Sequence, residues 1–112
     1  MGEASLEDVR KVLKIGLNKL LGQGAVVLEV CLSRMLKEDM YQVFYYDPKR
    51  FYLGLEKFIG NGSDAMLKIL SDLLIKEGFV KNVSVEEFIA FIKRGDRQAI
   101  IDSLGDMHAK TE

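Results

Sequence analysis

The feature that most constrains the fold of this chain is a segment that occurs twice in its sequence. Residues 16–36 align with residues 54–74 without a gap. Eight of the aligned positions hold the same amino acid, where chance at a single offset gives about one or two. The identical pairs are Gly16/Gly54, Leu17/Leu55, Lys19/Lys57, Gly22/Gly60, Gly24/Gly62, Leu32/Leu70, Ser33/Ser71 and Leu36/Leu74. This pattern predicts an internal duplication.

Both copies contain a motif in which two large apolar residues precede a glycine, an amide residue and a second glycine. The three residues that close the motif are 22–24 in the first copy and 60–62 in the second. A glycine after an apolar helical run supplies the left-handed conformation that ends a helix at low cost. The motif therefore predicts a helix, a tight corner and a second helix. A phosphate-binding loop is the alternative, but the third glycine and the preceding strand of such loops are missing.

Helical periodicity places the first hairpin at residues 6–38 and the second at residues 48–78. Ser5 and Asp8 have the spacing of a capping box, in which two side chains satisfy the free N–H groups of a helix N-terminus. Apolar residues then recur every three or four positions, as on the buried face of a helix. We therefore predict the first helix over residues 6–21.

Two segments are ambiguous from their own pattern. Residues 25–37 are apolar on most sides and fit a buried strand as well as a helix. Their counterpart, residues 63–76, has a clear helical pattern, so the duplication favours a helix for both. Residues 40–46 either extend the second helix or form a short extended segment.

The remaining chain carries three further helix start signals, each an Asp or Ser in the N-cap position. The first of them is followed by the only proline, which suits the first position of a helix. The helices that these signals predict cover about 48–59, about 84–94, and a stretch after Asp96 that ends near Gly105. The expected fold is all-α: a compact bundle of about six helices, built on the duplicated hairpin plus a C-terminal helical pair. We expect residues 1–112 to form one domain, with a frayed tail at 106–112.

Charge and cysteine content restrict the class of protein. The chain has 16 basic and 17 acidic residues, whereas general nucleic-acid binders usually have a strong basic excess. Cys31 is the single cysteine, so an intramolecular disulfide and a cysteine-based zinc site are excluded. The acidic N-terminus lacks the pattern of a signal peptide, and no apolar run approaches the roughly 20 residues that span a bilayer. These features predict a cytoplasmic protein without a membrane partner.

Catalytic groups are scarce in the sequence. His108 is the only histidine and lies in the expected tail, which argues against a nucleophile–histidine arrangement. Cys31 lies on the most apolar helix, so we expect a structural, unreactive thiol rather than a nucleophile. No di-iron or EF-hand pattern of carboxylates is present. We therefore predict no enzymatic activity, no metal and no cofactor.

The most informative local feature is a cluster of tyrosines next to basic residues. Tyrosine and arginine are enriched in protein interfaces, and four tyrosine hydroxyls are difficult to satisfy in a small core. We therefore take the cluster as a candidate interaction surface, with a partly hydrated edge of the core and a base-stacking or ligand site as alternatives. Its residues are Tyr41, Tyr45, Tyr46, Lys49, Arg50 and Tyr52.

These observations favour a non-enzymatic interaction or regulatory module that forms a homodimer. A nucleic-acid-binding accessory protein is the second hypothesis, and it would use the basic residues Lys49, Arg50, Lys93, Arg94 and Arg97. A helix-turn-helix over residues 73–94 is disfavoured, because its second helix opens with two glutamates and is otherwise apolar. A ligand or enzymatic site between the two hairpins is the third hypothesis.

Overall fold

The computed structural model describes residues 4–104, and this part of the chain forms seven α-helices and no strand. The helices are α1 (Leu6–Leu21), α2 (Gly24–Leu36), α3 (Met40–Tyr46), α4 (Pro48–Ile59), α5 (Gly62–Lys76), α6 (Val85–Arg94) and α7 (Arg97–Leu104). The all-helical class and the bundle-like packing are confirmed. None of these helices is long and apolar enough to cross a membrane. The tail expected at 106–112 lies outside the described residues.

Hydrogen bonds at the N-termini explain where α1 and α6 begin. Ser5 Oγ accepts from the Asp8 N–H at 3.2 Å, and Asp8 Oδ2 accepts from the Ser5 N–H at 3.0 Å. Ser84 and Glu87 make the same reciprocal pair before α6, at 3.1 and 2.8 Å. Both capping boxes expected from the sequence are formed, and an N-cap of this kind stabilises a helix by about 1 kcal/mol.

The ambiguous segment 40–46 forms a helix of its own, so the described chain has seven helices rather than about six. Lys37 ends α2 in the left-handed conformation, with φ of 63°, and the chain turns before α3 starts. Ser33 Oγ accepts a hydrogen bond from the Met40 N–H at 2.9 Å and so holds the start of α3 against α2. The buried side chains of α3 are Met40, Tyr41, Val43 and Phe44. This burial, rather than a local sequence signal, fixes the segment as a helix.

The two glycine corners reverse the chain as expected. Gly22 and Gly60 have φ values of 58° and 80°, which residues with a side chain rarely adopt. Each of them ends a helix, and the next helix begins two residues later, at Gly24 and Gly62. The corners therefore serve as tight helix–helix connections, in α1–α2 and in α4–α5.

The two hairpins pack against each other through glycines. A Cβ atom on Gly16 of α1 would lie 2.8 Å from Leu70 Cδ1 and 3.0 Å from Leu74 Cδ2, both on α5. A Cβ atom on Gly54 of α4 would lie 2.7 Å from Leu36 Cδ2 on α2. The first helix of each hairpin thus receives leucines from the second helix of the other. The contacts at Gly16 and Gly54 are therefore reciprocal between the hairpins. The internal duplication remains a prediction from the sequence.

The last two helices complete the bundle from one side. Helix α6 packs against α4 and α5, and α7 packs against α6. The Lys81 N–H, in the segment before α6, donates to the Ser103 carbonyl of α7 at 2.8 Å. Phe88, Ile92, Ile100 and Leu104 are buried and extend the core built by the hairpins. The expected C-terminal helical pair is therefore present.

Candidate interaction surface

Tyr41, the first residue of the tyrosine cluster, is buried with 2% of its surface exposed. Its ring lies beneath the cations of Arg10 and Lys14, which are 5.5 and 5.7 Å from the ring centroid. Burial raises the pKa of the Tyr41 hydroxyl well above its usual range, and the carboxylates of Glu29 and Asp39 add to the shift. Tyr41 therefore joins α3 to α1 and is not available to a partner.

Tyr45 and Tyr46 form a cluster with Arg97. The two rings meet edge to face at 4.8 Å, and the Arg97 guanidinium lies 4.5 Å from the Tyr45 ring and 5.5 Å from the Tyr46 ring. Arg97 Nε also donates to the Tyr45 carbonyl at 2.7 Å, and the Tyr45 hydroxyl donates to the Ala4 carbonyl at 3.3 Å. Tyr46 is exposed, whereas Tyr45 is half-buried. The cluster fastens α7 to α3.

Tyr52 belongs to a polar network that joins three helices. Its hydroxyl donates to Asp64 Oδ1 of α5 at 2.9 Å, and Lys93 Nζ of α6 donates to Asp64 Oδ2 at 3.0 Å. Hydrogen bonds from Lys93 and Tyr52 lower the pKa of Asp64, and the hydrogen bond to Asp64 raises the pKa of Lys93. The pKa of Tyr52 is raised by partial burial and then by Asp64. The network holds α6 on α4 and α5.

Arg50 and Lys49 also make contacts within the protein. Arg50 pairs with Glu38 at 2.6 Å and donates a second hydrogen bond to the Leu36 carbonyl at 2.7 Å, which closes the C-terminus of α2. The Lys49 side chain packs over Gly95, where an added Cβ would lie 3.1 Å from the Lys49 Cβ. Lys49 makes no ion pair among residues 4–104.

The basic residues of the nucleic-acid hypothesis are mostly neutralised. Arg94 pairs with Asp96 at 3.1 Å, and its guanidinium lies 5.1 Å from the Phe91 ring. Together with the partners of Arg50, Lys93 and Arg97 described above, this leaves Lys49 as the member of the set without a polar partner in the described chain. Phosphate binding depends on cations that are free to replace counterions. The arrangement gives the nucleic-acid hypothesis no support.

The tyrosine cluster thus lies at three helix junctions and does not form one continuous surface. Tyr41 packs against α1, Tyr45 and Tyr46 meet α7, and Tyr52 meets α5 and α6. The hydroxyls of Tyr45 and Tyr52 find partners inside the protein. These contacts match the alternative of a partly hydrated core edge.

Metal-binding groups and cavities bear on the hypothesis of a ligand or enzymatic site. No group of three His, Cys, Asp or Glu side chains in residues 4–104 could hold a metal ion. His108 lies outside the described residues. Leucine side chains fill the interface between the hairpins, around Gly16 and Gly54, and the small cavity beside Tyr45 and Arg97 is too tight for a water molecule. Between the hairpins, a shallow groove at the α2–α4 contact is lined in part by Arg50 and Lys57.

An apolar surface lies instead on the outer side of α2. The core side of α2 buries Ala25, Leu28, Leu32 and Leu36. Away from the core, Val26 and Val27 are each 60% exposed and Val30 is 49% exposed, while Met35, on the flank that meets α4, is 40% exposed. Leu53 of the neighbouring helix α4 is 51% exposed. We call these five side chains, Val26, Val27, Val30, Met35 and Leu53, the α2–α4 face.

A shallow groove of about 200 Å³ runs along one edge of the α2–α4 face. Met35 and Leu53 form its walls, and Leu36 and Gly54 form its floor. Its rim carries two cations, Arg50 and Lys57. The groove exists because Gly54 has no side chain and lets α2 and α4 approach closely.

The corresponding side of α5 differs in its residues and in having another helix packed on it. At the aligned positions, Val26 and Val30 of α2 are replaced by Asp64 and Lys68. Helix α6 packs on this side of α5 and is tied to it by the Lys93–Asp64 ion pair. Ile69, at 54% exposure, lines a groove there together with Lys68, Asp72 and Val85. The apolar outer side is therefore specific to α2.

Sequence reasoning missed the α2–α4 face because it treated α2 as an interior helix. One signal was available: α2 is apolar on nearly all sides, while α5 has charged residues at the aligned positions. A helix needs an apolar stripe of only about a third of its circumference to pack against a core. The additional valines of α2 therefore exceed what the fold uses.

Comparison with models of known protein families, with curated proteins and with solved structures gives no match for this chain.

Proposed function

We propose that this protein is a non-enzymatic protein-interaction module that binds its partner through the α2–α4 face. The observation that carries the proposal is a group of large apolar side chains, 40–60% exposed, in which three valines lie on the outer side of α2 and Met35 and Leu53 lie at the α2–α4 groove. Contiguous apolar patches of this kind mark interaction sites more often than isolated exposed residues do.

The valines of this face are not explained by the stability of the isolated fold. Val26, Val27 and Val30 contribute little burial, because about half or more of each side chain is in contact with water. Valine also forms helices less readily than alanine, lysine or glutamate, because its branched side chain loses rotamer freedom. Full burial of a valine against a partner stabilises by about 1.5 kcal/mol or more. A bound partner supplies the burial that the isolated chain lacks.

The surroundings of the face match the usual anatomy of an interface, in which a polar rim surrounds an apolar centre. Arg34 lies one helical turn beyond Val30 on the same side of α2, and Lys57 lies one turn beyond Leu53 on α4. Both side chains are exposed. The homodimer expected from the sequence is one form that such an interface can take.

The proposal is tested by site-specific photo-crosslinking in cells that produce the protein. A photo-reactive amino acid replaces Val30 in one variant and Ile69 in the matched control, since both positions are on helices and about equally exposed. We expect one adduct of defined mass from position 30 and none from position 69. Its yield should fall at least tenfold when Val27→Gln is added, and the α2 amides should be protected from hydrogen exchange in the purified adduct.

Equal cross-linking from both positions would show that the adducts reflect random collisions. The absence of an adduct at position 30, or an adduct that Val27→Gln leaves unchanged, would contradict the proposal. The adduct mass also separates a second copy of the chain from a different protein.

A further inference from the structure

We infer that the partner is an amphipathic helix of another protein, with carboxylates beside its apolar stripe. This inference rests on the proposed function and specifies the chemistry of the partner at the same face. It depends on the charges around the α2–α4 face and on the way in which α6 covers the corresponding side of α5.

The charges that border the face are the cations Arg34, Arg50 and Lys57, and the carboxylate of Glu56, which lies one turn after Leu53 and accepts a hydrogen bond from the Tyr52 hydroxyl at 3.5 Å. Arg34 and Lys57 make no ion pair among residues 4–104, so their charges are available. Glu29 is the acidic residue of α2, and its carboxylate is directed towards α1, where it lies 4.0 Å from Lys14 Nζ. Glu38, beyond the end of α2, is paired with Arg50 at 2.6 Å. Carboxylates on the partner would complement Arg34 and Lys57.

The packing of α6 on α5 shows that an amphipathic helix can cover the outer side of the second helix of a hairpin. Helix α6 covers the Asp64, Lys68 and Asp72 side of α5: Val85 and Glu86 of α6 line a groove with Lys68 and Asp72. The covering helix is amphipathic and is held by a base, Lys93, that pairs with an acid, Asp64.

Within residues 4–104 no helix covers the outer side of α2, and Arg34 reverses the charge there. Arg34 occupies the position that aligns with Asp72, and Val26 and Val30 align with the two other polar residues of the α5 side. Helix α3, which follows α2 and is held at Ser33, is only seven residues long and leaves Val26 and Val30 60% and 49% exposed. An external helix in the place of α6 would meet apolar Val26 where Lys93 of α6 meets Asp64, and it would need an acidic residue opposite Arg34. Docking of an amphipathic helix in an apolar groove is a common recognition mode.

A second copy of the chain fits these charges poorly. In an antiparallel pair of α2 helices, Arg34 would lie near the N-terminus of the other α2, where free N–H groups carry partial positive charge. In a parallel pair, Arg34 would lie beside its own counterpart. Neither arrangement brings an unpaired carboxylate of α2 to Arg34, because Glu29 is directed towards α1 and Glu38 is paired with Arg50.

The test uses three synthetic peptides and the full chain. The acidic probe is a peptide of about 16 residues, long enough to span α2, with Leu at positions i, i+4, i+7 and i+11 and Glu on both sides of the stripe. The basic probe has Lys in place of each Glu, and the third probe has the acidic composition with scattered Leu positions. Fluorescence anisotropy of the labelled peptides measures binding, and circular dichroism verifies that each protein variant is folded.

We expect the acidic probe to bind at least about tenfold more tightly than either control at low salt, and this preference should shrink as salt shortens the Debye length. Val27→Gln with Val30→Gln should abolish binding, whereas the matched control Ile69→Gln should leave it unchanged. Arg34→Glu with Lys57→Glu should reverse the preference between the acidic and basic probes, because the apolar centre is retained.

Equal binding of the acidic and basic probes, equal effects of the α2 and Ile69 substitutions, or no binding of the acidic probe would overturn the inference. The proposed function survives these results if the cross-link at position 30 persists, because that cross-link reports the face and not the partner's charge. Light scattering tests whether a second copy of the chain binds the face. If the protein is a dimer and Val27→Gln with Val30→Gln makes it a monomer, the face belongs to a second copy. In that case the acidic-helix inference is wrong and the interaction proposal stands.

Discussion

Gly54 of α4 and Leu36 of α2 are so close that a Cβ atom on Gly54 would lie 2.7 Å from Leu36 Cδ2. The same relationship joins Gly16 of α1 to Leu70 and Leu74 of α5, at 2.8 and 3.0 Å. Each hairpin therefore has a notch on its first helix that a leucine of the other hairpin fills. These contacts bring α2 and α4 together and so determine the shape of the α2–α4 face.

Gly54→Ala is expected to destabilise the protein by about 1–2 kcal/mol. The added methyl group collides with the buried Leu36 side chain, and this overpacking outweighs the gain in helix propensity of up to about 1 kcal/mol. Gly24→Ala is the matched control, because its Cβ would make an ordinary contact of 3.6 Å with Leu21 Cβ. The control should be neutral or slightly stabilising. Urea unfolding followed by circular dichroism measures both, and equal effects of the two substitutions would contradict the close packing.

Replacement of Val26, Val27 and Val30 by alanine is expected to leave the free energy of unfolding unchanged or to raise it by up to about 1 kcal/mol. Alanine has the higher helix propensity, and little burial is lost because the three side chains are exposed. Leu32→Ala, at a fully buried position of the same helix, should cost about 2–5 kcal/mol. Thermal unfolding of the triple and single variants compares them. A loss from the triple variant that resembles the loss from Leu32→Ala would show that the valines support the fold.

Arg97→Ala is expected to loosen α7 and to reduce stability by about 2 kcal/mol. It removes a charged hydrogen bond to the Tyr45 carbonyl and the cation–π contacts with two tyrosine rings. Hydrogen exchange should accelerate in α7 more than in α2. Arg94→Ala is the control, since its ion pair with Asp96 is exposed and worth little. Similar exchange rates of α7 in the two variants would argue against the role of Arg97.

Alkaline pH is expected to destabilise the protein partly through Tyr41. Its pKa is raised in the folded state by burial, so its contribution to stability is complete below the ordinary tyrosine pKa of about 10 and is lost as the pH rises through the folded-state value. In Tyr41→Phe the loss of stability above about pH 10 should be shallower. In an alkaline titration followed by phenolate absorbance, Tyr41→Phe should also lack the tyrosine that ionises only as the protein unfolds. An unchanged pH dependence in Tyr41→Phe would contradict the assignment.

The sequence predicted those parts of the fold that depend on local interactions. Ser5, Ser84 and Asp47 satisfy the N–H groups of the residues that follow them, so the starts of α1, α6 and α4 were visible without tertiary information. Gly22 and Gly60 likewise marked the corners, because their positive φ values exclude most other residues. Helix α3 was not predicted, because Lys37 gives no glycine-like stop signal and the helix depends on burial of its side chains.

The candidate site was harder to predict, because exposure is a property of the whole molecule. Tyr41 and Tyr45 looked like surface residues in the sequence, yet α1 covers the first and α7 partly covers the second. Val27 and Val30 looked like core residues in the sequence, yet they lie on the outer side of α2 and are 60% and 49% exposed. The sequence alone does not show whether an apolar residue packs in the core or lies in an interface.

The reciprocal notches at Gly16 and Gly54 have a consequence for how the chain folds. Neither hairpin can finish its own packing, because the leucines that fill its notch belong to the other hairpin. Each hairpin can form early from local contacts, but the step that excludes water from the core is the meeting of residues far apart in sequence, such as Gly16 and Leu74. We expect the two halves of the chain to become a single cooperative unit in that step, and its long loop closure to carry the largest entropic cost of folding.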